Sequence, residues 1–241
     1  MDAALMEVVP SLAAIGVTAF TTTRQAGSFG LTGAEASSVV WGRWLGLAAQ
    51  LGAQAPRLAF AHQVHGTEFV VHQPAWVGIL RVPDADGHLG LSGSTAMAVT
   101  LADCVPVFIG HPSGVAGVMH SGWKGTAGGI TRRAIAHLVS TGLDVAEVVV
   151  HCGPSICGAC YEVGPEVHLA LTGGSVSRPT PVDLRAIIAA DARAAGVRDV
   201  TISPWCTRCH NDRFFSHRCG DDGRQLGVVA SFATREHRRS A

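Results

Sequence analysis

Short apolar segments rich in β-branched residues alternate with amphipathic helices along this chain of 241 residues, and this alternation restricts its fold more than any other feature. A strand repeats its apolar side chains every two residues and a helix about every 3.6, so the two patterns are distinct. Glycines typical of tight turns are spread over the whole length, and no internal repeat or low-complexity linker divides the chain. We therefore predict a single α/β (α+β) domain with a mixed β-sheet over residues 1–241.

The individual elements follow from the same patterns. The predicted helices are Ala36–Leu51, Ile130–Thr141 and Val182–Ala195. The predicted strands are Val17–Thr22, Phe69–Val71, Met97–Leu101, Val105–Gly110, Val115–Met119, Val145–His151, Val200–Ile202 and Val228–Phe232. The His111-Pro112-Ser113-Gly114 turn predicts that the fourth and fifth of these strands form a hairpin.

The composition argues against several classes of protein. Hydrophobic residues make up 47% and charged residues 15%, which supports a sizeable core and excludes intrinsic disorder. Lys+Arg and Asp+Glu each number 18, so we expect no nucleic-acid partner, and the basic stretch Arg235–Arg239 is too short to change that. No apolar run reaches the roughly 18 residues of a membrane span. The first residues also lack the basic start of a signal peptide. We expect no membrane partner and a cytoplasmic location.

Three segments carry metal-ligating side chains where apolar strands end: Phe60–Thr67, Thr100–Val107 and Gly117–Gly125. Within them, His65, Cys104 and His120 form a Cys-His-His set. Zinc favours thiolate and neutral imidazole, and three protein ligands leave a fourth position for water, as in catalytic zinc sites. Spacing alone leaves two alternatives open, because the residues are far apart in sequence. Cys104 is a core residue beside two ordinary histidines, or it is the nucleophile of a metal-free hydrolase with His120 as base.

A second set of thiols forms two Cys-x-x-Cys pairs. Cys157 with Cys160 and Cys206 with Cys209 resemble the two halves of a four-thiolate zinc site. The run from Cys206 to His210 also matches a c-type haem attachment pattern, which we discount because haem attachment needs an exported apoprotein. Free thiols in a reducing compartment are the plain alternative. The same alternative applies to the two other cysteines outside the first set, Cys152 and Cys219.

Charged neighbours of these segments are candidates for supporting roles. On a strand, His62 would face away from His65, so we do not expect it to share the metal. Asp103 beside Cys104 is either a carboxylate that orients a ligand or a solvated one. Arg24, after the first predicted strand, is either an anion partner or an ordinary surface arginine. The best remaining anion surface is formed by C-terminal arginines: Arg213, Arg218 and Arg224.

The sequence resembles a known family in these same segments. The blocks His62–Thr67, Ala102–Val107 and His120–Gly125 are similar to the signature blocks of the YfiH-type laccase-domain family. This family is also labelled polyphenol oxidase, peptidoglycan-editing factor or purine nucleoside phosphorylase. Further similar segments follow in order almost to the end of the chain: Gly153–Cys157, Cys160–Val163, Phe214–Arg218 and Gly223–Gln225.

The resemblance implies an α/β sandwich similar to the catalytic domain of cytotoxic necrotizing deamidases. It implies one zinc per chain, bound by His65, Cys104 and His120, of which Cys104 and His120 are also catalytic. It implies a purine nucleoside and phosphate as small-molecule partners. The reactions would be phosphorolysis of adenosine, inosine or methylthioadenosine and hydrolytic deamination of adenosine. Arg24 and Gln63 are then the expected substrate-binding residues, with Arg24 meeting the phosphate.

Other functions stay open at this point. A copper-dependent, laccase-like polyphenol oxidase is one, although multicopper oxidation needs several His-rich sites and the three blocks supply one. A metal-free Cys-His hydrolase and a peptidoglycan-precursor editing factor are others. The sequence also departs from the family pattern in several places: Gln25–Ser28, Lys124 where arginine is common, His217, and the extra cysteines Cys209 and Cys219.

Overall fold

Two six-stranded β-sheets form the centre of the computed structural model, which describes residues 4–91 and 93–231. In chain order the strands are β1 (Met6–Val8), β2 (Val17–Thr22), β3 (Arg57–Ala61), β4 (Phe69–His72), β5 (Gly78–Val82), β6 (Gly87–Gly90), β7 (Thr95–Leu101), β8 (Val105–Gly110), β9 (Ala116–Ser121), β10 (Val149–Cys152), β11 (Glu162–Val163), β12 (Thr180–Pro181), β13 (Asp199–Ile202) and β14 (Gln225–Ser231). The α-helices are α1 (Pro10–Ala13), α2 (Ser37–Leu51), α3 (Trp123–Ala127), α4 (Ile130–Ser140), α5 (Pro165–Thr172) and α6 (Leu184–Ala194).

Both sheets are mixed. The first has the strand order β1-β2-β14-β7-β3-β5 and the second β13-β10-β8-β9-β6-β4, while β11 and β12 pair separately. Parallel pairs occur where β3 meets β5 and β7, where β10 meets β13, and where β4 meets β6. The predicted β8–β9 hairpin is confirmed, and its antiparallel register places Pro106 opposite His120.

Apolar side chains fill three layers of this structure. Side chains such as Val99, Phe108 and Val118 pack between the two sheets. Helix α2 buries Val40 and Trp44 against the outer face of the first sheet. Helices α4 and α6 bury their apolar stripes against the outer face of the second sheet. The predicted α/β sandwich with mixed sheets is therefore confirmed, with helices on both outer faces.

Several predicted boundaries were wrong: strand β14, for example, begins at Gln225, three residues earlier than predicted, and β7 begins at Thr95, two residues earlier. Two other wrong boundaries have a local cause. Residues Val145–Glu147, predicted as the start of a strand, form a 3-10 turn because the Asp144 carboxylate accepts a hydrogen bond from a backbone N–H two residues later. Helix α6 begins at Leu184, two residues later than predicted, because the Asp183 side chain caps its first N–H groups. Short polar side chains compete with regular structure at just such positions.

Sequence reasoning missed several short strands, and one of them positions the site described below. Strand β6 contains two glycines and no β-branched residue, yet all of it is buried between β4 and β9. A Cβ added at Gly87 would overlap the buried Met119 side chain on β9, so glycine here lets the two strands pack without displacing that side chain. Asp86 immediately precedes this strand.

Two expectations concern the C-terminal end of the chain. Phe232, predicted to end the last strand, and the basic stretch Arg235–Arg239 lie outside the described residues. Within residues 4–91 and 93–231, none of the helices combines the length and the apolar character that a membrane crossing needs.

Candidate active site and metal centre

Three side chains from distant parts of the sequence meet at one place. One ligand atom from each of His65, Cys104 and His120 lies within 4.8 Å of the other two. His120 is on β9, Cys104 is in the turn between β7 and β8, and His65 is in the loop after β3. The two imidazole rings meet edge to face, with centroids 4.8 Å apart. The structure thus brings together the three residues that the sequence predicted as metal ligands.

The backbone leaves room for this close approach. His65 and Asp103 have left-handed φ angles of 59° and 82°, which residues other than glycine adopt only where the surroundings hold them. Gly122 follows β9, and a Cβ added there would lie 2.9 Å from Cys104 Sγ and 3.3 Å from His65 Cδ2. Glycine at this position therefore keeps the space around the three donor atoms open.

Asp86 organises the site, and sequence reasoning missed it. Its side chain is completely buried. Its carboxylate accepts hydrogen bonds from the backbone N–H groups of Val64, His65 and Gly66, at 3.2, 2.9 and 2.6 Å. The same carboxylate accepts a hydrogen bond from His120 Nδ1 at 2.7 Å. A single buried anion thus holds both segments that carry the histidines.

The charge of Asp86 also fixes the protonation of His120. Burial opposes that charge, but the hydrogen bonds from His120 and from the backbone N–H groups of Gly66 and Val64 lower the pKa of the Asp86 carboxyl. An ionised carboxylate can only accept, so Nδ1 of His120 keeps its proton, and Nε2 is the nitrogen that can give up its proton to bind a ligand. In the sequence, Asp86 lies in a run that is typical of an exposed turn. Its burial arises only when β6 pairs with β9.

Cys104 and His120 form a charge-coupled pair. Burial alone would raise the pKa of the Cys104 thiol, but the charge of His120 and hydrogen bonds from His120 and His65 lower it from 9.0 to about 6. Burial likewise opposes charge on His120, but the Cys104 thiolate and Asp86 raise the pKa of that imidazole from 6.5 to about 9. Cys104 is therefore a thiolate at neutral pH, the form that binds a metal or attacks as a nucleophile.

The three residues line a cavity of about 500 Å³. This volume lies within the range of small-molecule sites, about 300–1,000 Å³. Tyr161, the one tyrosine of the chain, lines the cavity beside Arg218, whose guanidinium lies 5.3 Å from the ring centroid. Burial, reinforced by the charge of Cys104, raises the pKa of Tyr161, so its phenol remains a hydrogen-bond donor. Other aromatic and cationic residues of the lining are Phe29, Trp44, Phe60, Trp123, Arg81 and Arg224.

Gln63, a predicted substrate-binding residue, also lines the cavity. Its side-chain amide is already engaged, because Nε2 donates to the Thr100 carbonyl at 2.9 Å and Oε1 accepts from the Thr100 N–H and hydroxyl at 2.7 and 2.8 Å. These bonds attach the loop that carries His65 to the end of β7. The structure therefore gives Gln63 a positioning contact beside the cavity.

Arg24, the other predicted substrate-binding residue, is placed elsewhere. Its guanidinium donates to the backbone carbonyls of Asn211 and Phe214 and to the carboxylate of Asp221, at 2.6 Å for the last. It is not among the residues that line the cavity, whereas Arg218 and Arg224 are. The structure thus groups Arg218 and Arg224, rather than Arg24, with the three candidate ligands. Arg213, predicted to belong to the same anion surface, is paired with Glu7 at 3.0 Å instead.

Asp103 and His62 contact groups other than the three candidate ligands. The Asp103 carboxylate accepts hydrogen bonds from the Thr207 hydroxyl at 2.6 Å and from the backbone N–H of Arg218 at 2.7 Å. It thereby attaches the C-terminal segment to the turn that carries Cys104. His62 pairs with the exposed Asp84, 3.0 Å away. Its expected separation from the metal ligands follows from the loop after β3, not from the strand alternation assumed in the prediction.

A family model described as multi-copper polyphenol oxidoreductase laccase matches residues 21–235. The chain belongs to this family. The resemblance to the YfiH-type laccase-domain family, predicted from the three blocks, is confirmed. The solved structure of YlmD from Geobacillus stearothermophilus is 27% identical and superposes with a TM-score of 0.84, covering 93% of this chain and 94% of that one. The YfiH protein of Bacillus licheniformis, at 23% identity, shares the fold with a TM-score of 0.86, over 95% of this chain and 97% of that one.

Curated relatives in the laccase-like family carry the names of nucleoside enzymes. "Purine nucleoside phosphorylase SCO2081" of Streptomyces coelicolor is 34% identical over 208 residues, which cover 83% of this chain and 85% of that protein. "Adenosine deaminase RL5", from an unknown prokaryotic organism, is 34% identical over 198 residues, covering 72% of this chain and 74% of that protein. The family thus includes relatives named for two different reactions of purine nucleosides.

Proposed function

We propose that this protein is a zinc-dependent purine nucleoside enzyme, which catalyses phosphorolysis of adenosine, inosine or methylthioadenosine and deamination of adenosine. The observation that carries the proposal is the convergence of His65, Cys104 and His120 on one cavity of about 500 Å³. The names of the relatives support the substrate class.

The donor set fits one zinc ion. Two imidazoles and one thiolate are ligands that zinc prefers. Gly122 keeps their surroundings open, and Asp86 directs Nε2 of His120 away from itself. When bound, the ion supplies Lewis-acid chemistry on the cavity side of these atoms. Within the described residues, the potential metal groups are this one and a four-cysteine group. Neither resembles the several His-rich sites of multicopper oxidation, so we propose zinc rather than copper.

The residues around the donor set suit a nucleoside and an anion. Tyr161 and Trp123 offer aromatic faces to a purine, and Arg218 and Arg224 offer cationic groups to phosphate. Neither arginine forms an ion pair with a carboxylate among the residues that the structure describes. The Arg218 guanidinium donates to the Glu162 carbonyl, and the Arg224 guanidinium to the carbonyls of Asp221 and Gly223, so the other N–H groups are the ones that we propose for an incoming anion. Arg218 and Arg224 thus replace Arg24 as our proposed phosphate-binding residues.

The test is to incubate the purified protein with adenosine, with and without phosphate, and to separate adenine, ribose phosphate and inosine by chromatography. We expect adenine only with phosphate. Without phosphate we expect inosine, and with phosphate inosine together with hypoxanthine, the base that phosphorolysis of inosine releases. Cys104→Ala should abolish both activities, whereas Cys219→Ser, an exposed cysteine outside both metal groups, should leave them unchanged. Absence of turnover in the wild type, or full activity in Cys104→Ala, would contradict the proposal.

A second candidate function is a metal-free hydrolase with Cys104 as nucleophile and His120 as base. It is favoured by the lowered pKa of the thiol and the raised pKa of the imidazole beside it. Activity that survives a strong chelator but is lost on alkylation of Cys104 would support this candidate. Activity that is lost with the chelator and restored by zinc would refute it.

A further inference from the structure

A second group of four cysteines lies outside the cavity lining. The sulfur atoms of Cys157, Cys160, Cys206 and Cys209 all lie within 4.8 Å of one another. They come from two short segments, one between β10 and β11 and the other after β13. All four are free cysteines. Two Cys-x-x-Cys pairs thus converge on one point, although corresponding cysteines such as Cys160 and Cys209 are 49 residues apart in the sequence.

The distances fit a shared ion better than disulfides. Four sulfurs at about 2.3 Å from a tetrahedral zinc are separated from one another by about 3.8 Å. The sulfurs of Cys160 and Cys209 are 3.4 Å apart, and the whole group stays within 4.8 Å. A disulfide would hold two sulfurs at about 2.05 Å and would leave the other two outside its bond.

The backbone around the group supplies donors to sulfur. The N–H groups of Cys157 and Cys209 both donate to Cys206 Sγ, at 3.3 and 3.4 Å. Such bonds stabilise negative charge on sulfur, which a ligating thiolate carries. Arg208, inside the second Cys-x-x-Cys pair, donates to the Cys160 carbonyl at 3.4 Å and so brings a cation to the group. Four thiolates with a divalent ion carry a net charge of −2, which this arginine partly offsets.

We propose that Cys157, Cys160, Cys206 and Cys209 bind one structural zinc ion through four thiolates. Four protein ligands leave no open coordination position, so this ion stabilises the fold and has no catalytic role. The two segments that it joins lead directly to the cavity. Tyr161 follows Cys160, and Thr207 follows Cys206 and donates to the Asp103 carboxylate beside Cys104. The zinc therefore fixes one wall of the cavity from outside.

The first experiment is elemental analysis with matched variants. We expect two zinc ions per wild-type chain and one in each of Cys104→Ala and Cys209→Ser. Cys219→Ser should keep two, because Cys219 is exposed and belongs to neither group. Cobalt-substituted Cys104→Ala should retain the intense sulfur-to-metal charge-transfer absorption of a tetrathiolate, which Cys209→Ser should lose. Iron in place of zinc, or a metal content unchanged by Cys209→Ser, would overturn the proposal.

A measurement on the wild type covers the case in which Cys209→Ser does not fold. The protein is denatured with a chelator and without a reductant and is then alkylated, and mass spectrometry counts the alkylated cysteines. Free thiols at all 7 cysteines support the site if Cys157, Cys160, Cys206 and Cys209 are among those that stay protected in the native protein until the chelator is added. Alkylation of five or three cysteines would reveal disulfides and overturn it. The outcome is independent of nucleoside turnover, so it can fail while the proposed function stands.

Discussion

Replacement of Asp86 by asparagine tests how the candidate site is held together. The buried carboxylate accepts four hydrogen bonds, three from backbone N–H groups and one from His120 Nδ1. An asparagine of the same shape keeps one accepting oxygen and turns the other into a donor, so about two of the four bonds are lost. Each buried donor left without a partner costs about 1–3 kcal/mol, which gives about 2–6 kcal/mol of lost stability.

The same replacement should weaken metal binding. If the amide N–H₂ faces His120, the imidazole must accept at Nδ1 and carry its proton on Nε2, which would otherwise meet the ion. Loss of a carboxylate that orients a ligating histidine typically weakens metal affinity about 10–100-fold. We therefore expect both the free energy of unfolding and the zinc affinity to fall in Asp86→Asn.

The assay is urea unfolding of the chelator-treated protein together with zinc titration against a competing chromophoric chelator. Asp84→Asn is the matched control, because Asp84 lies two residues away but is exposed and pairs with the exposed His62. Its surface pair should contribute no more than about 1 kcal/mol. If the free energy of unfolding of Asp86→Asn lies within about 0.5 kcal/mol of that of Asp84→Asn, and the two variants bind zinc equally well, the assigned role of Asp86 is wrong.

Three further results are expected. Gly122→Ala should cost about 1–3 kcal/mol by overpacking and should reduce zinc affinity, because its Cβ would lie 2.9 Å from Cys104 Sγ; urea unfolding and the same titration measure both. Burial lowers the pKa of His151 from 6.5 to about 4, so the folded state favours the neutral ring. The free energy of unfolding should therefore fall by about 3 kcal/mol as the pH drops from 6.5 to 4. In urea unfolding at several pH values, His151→Asn should reduce this fall, and an unchanged dependence of stability on pH would contradict the assignment. Arg218→Ala should raise the KM for phosphate about 10–100-fold and spare phosphate-independent deamination, with the exposed Arg132→Ala as control; an equal loss of both activities would refute a phosphate-specific role.

Some features follow from local sequence because their causes are local. The period of apolar side chains predicted α2 and α4 to within one residue, and the His111–Gly114 turn predicted the β8–β9 hairpin. The chemistry of thiol and imidazole side chains at the ends of apolar segments indicated the Cys-His-His set. The structure then brought these atoms within 4.8 Å.

Other features depend on contacts between distant segments, so the tertiary structure alone decided them. Strand β6 has no β propensity and exists because β4 and β9 bury it, and this pairing turns Asp86 from a turn residue into a buried anion. The sequence and its family resemblance favoured Arg24 as the phosphate partner over Arg218, yet Arg24 is paired with Asp221 whereas Arg218 lines the cavity. The chemistry of each side chain and the local period of apolar residues can be read from the sequence. Which side chains are buried, and which residues they contact, is decided only when the two sheets pack together.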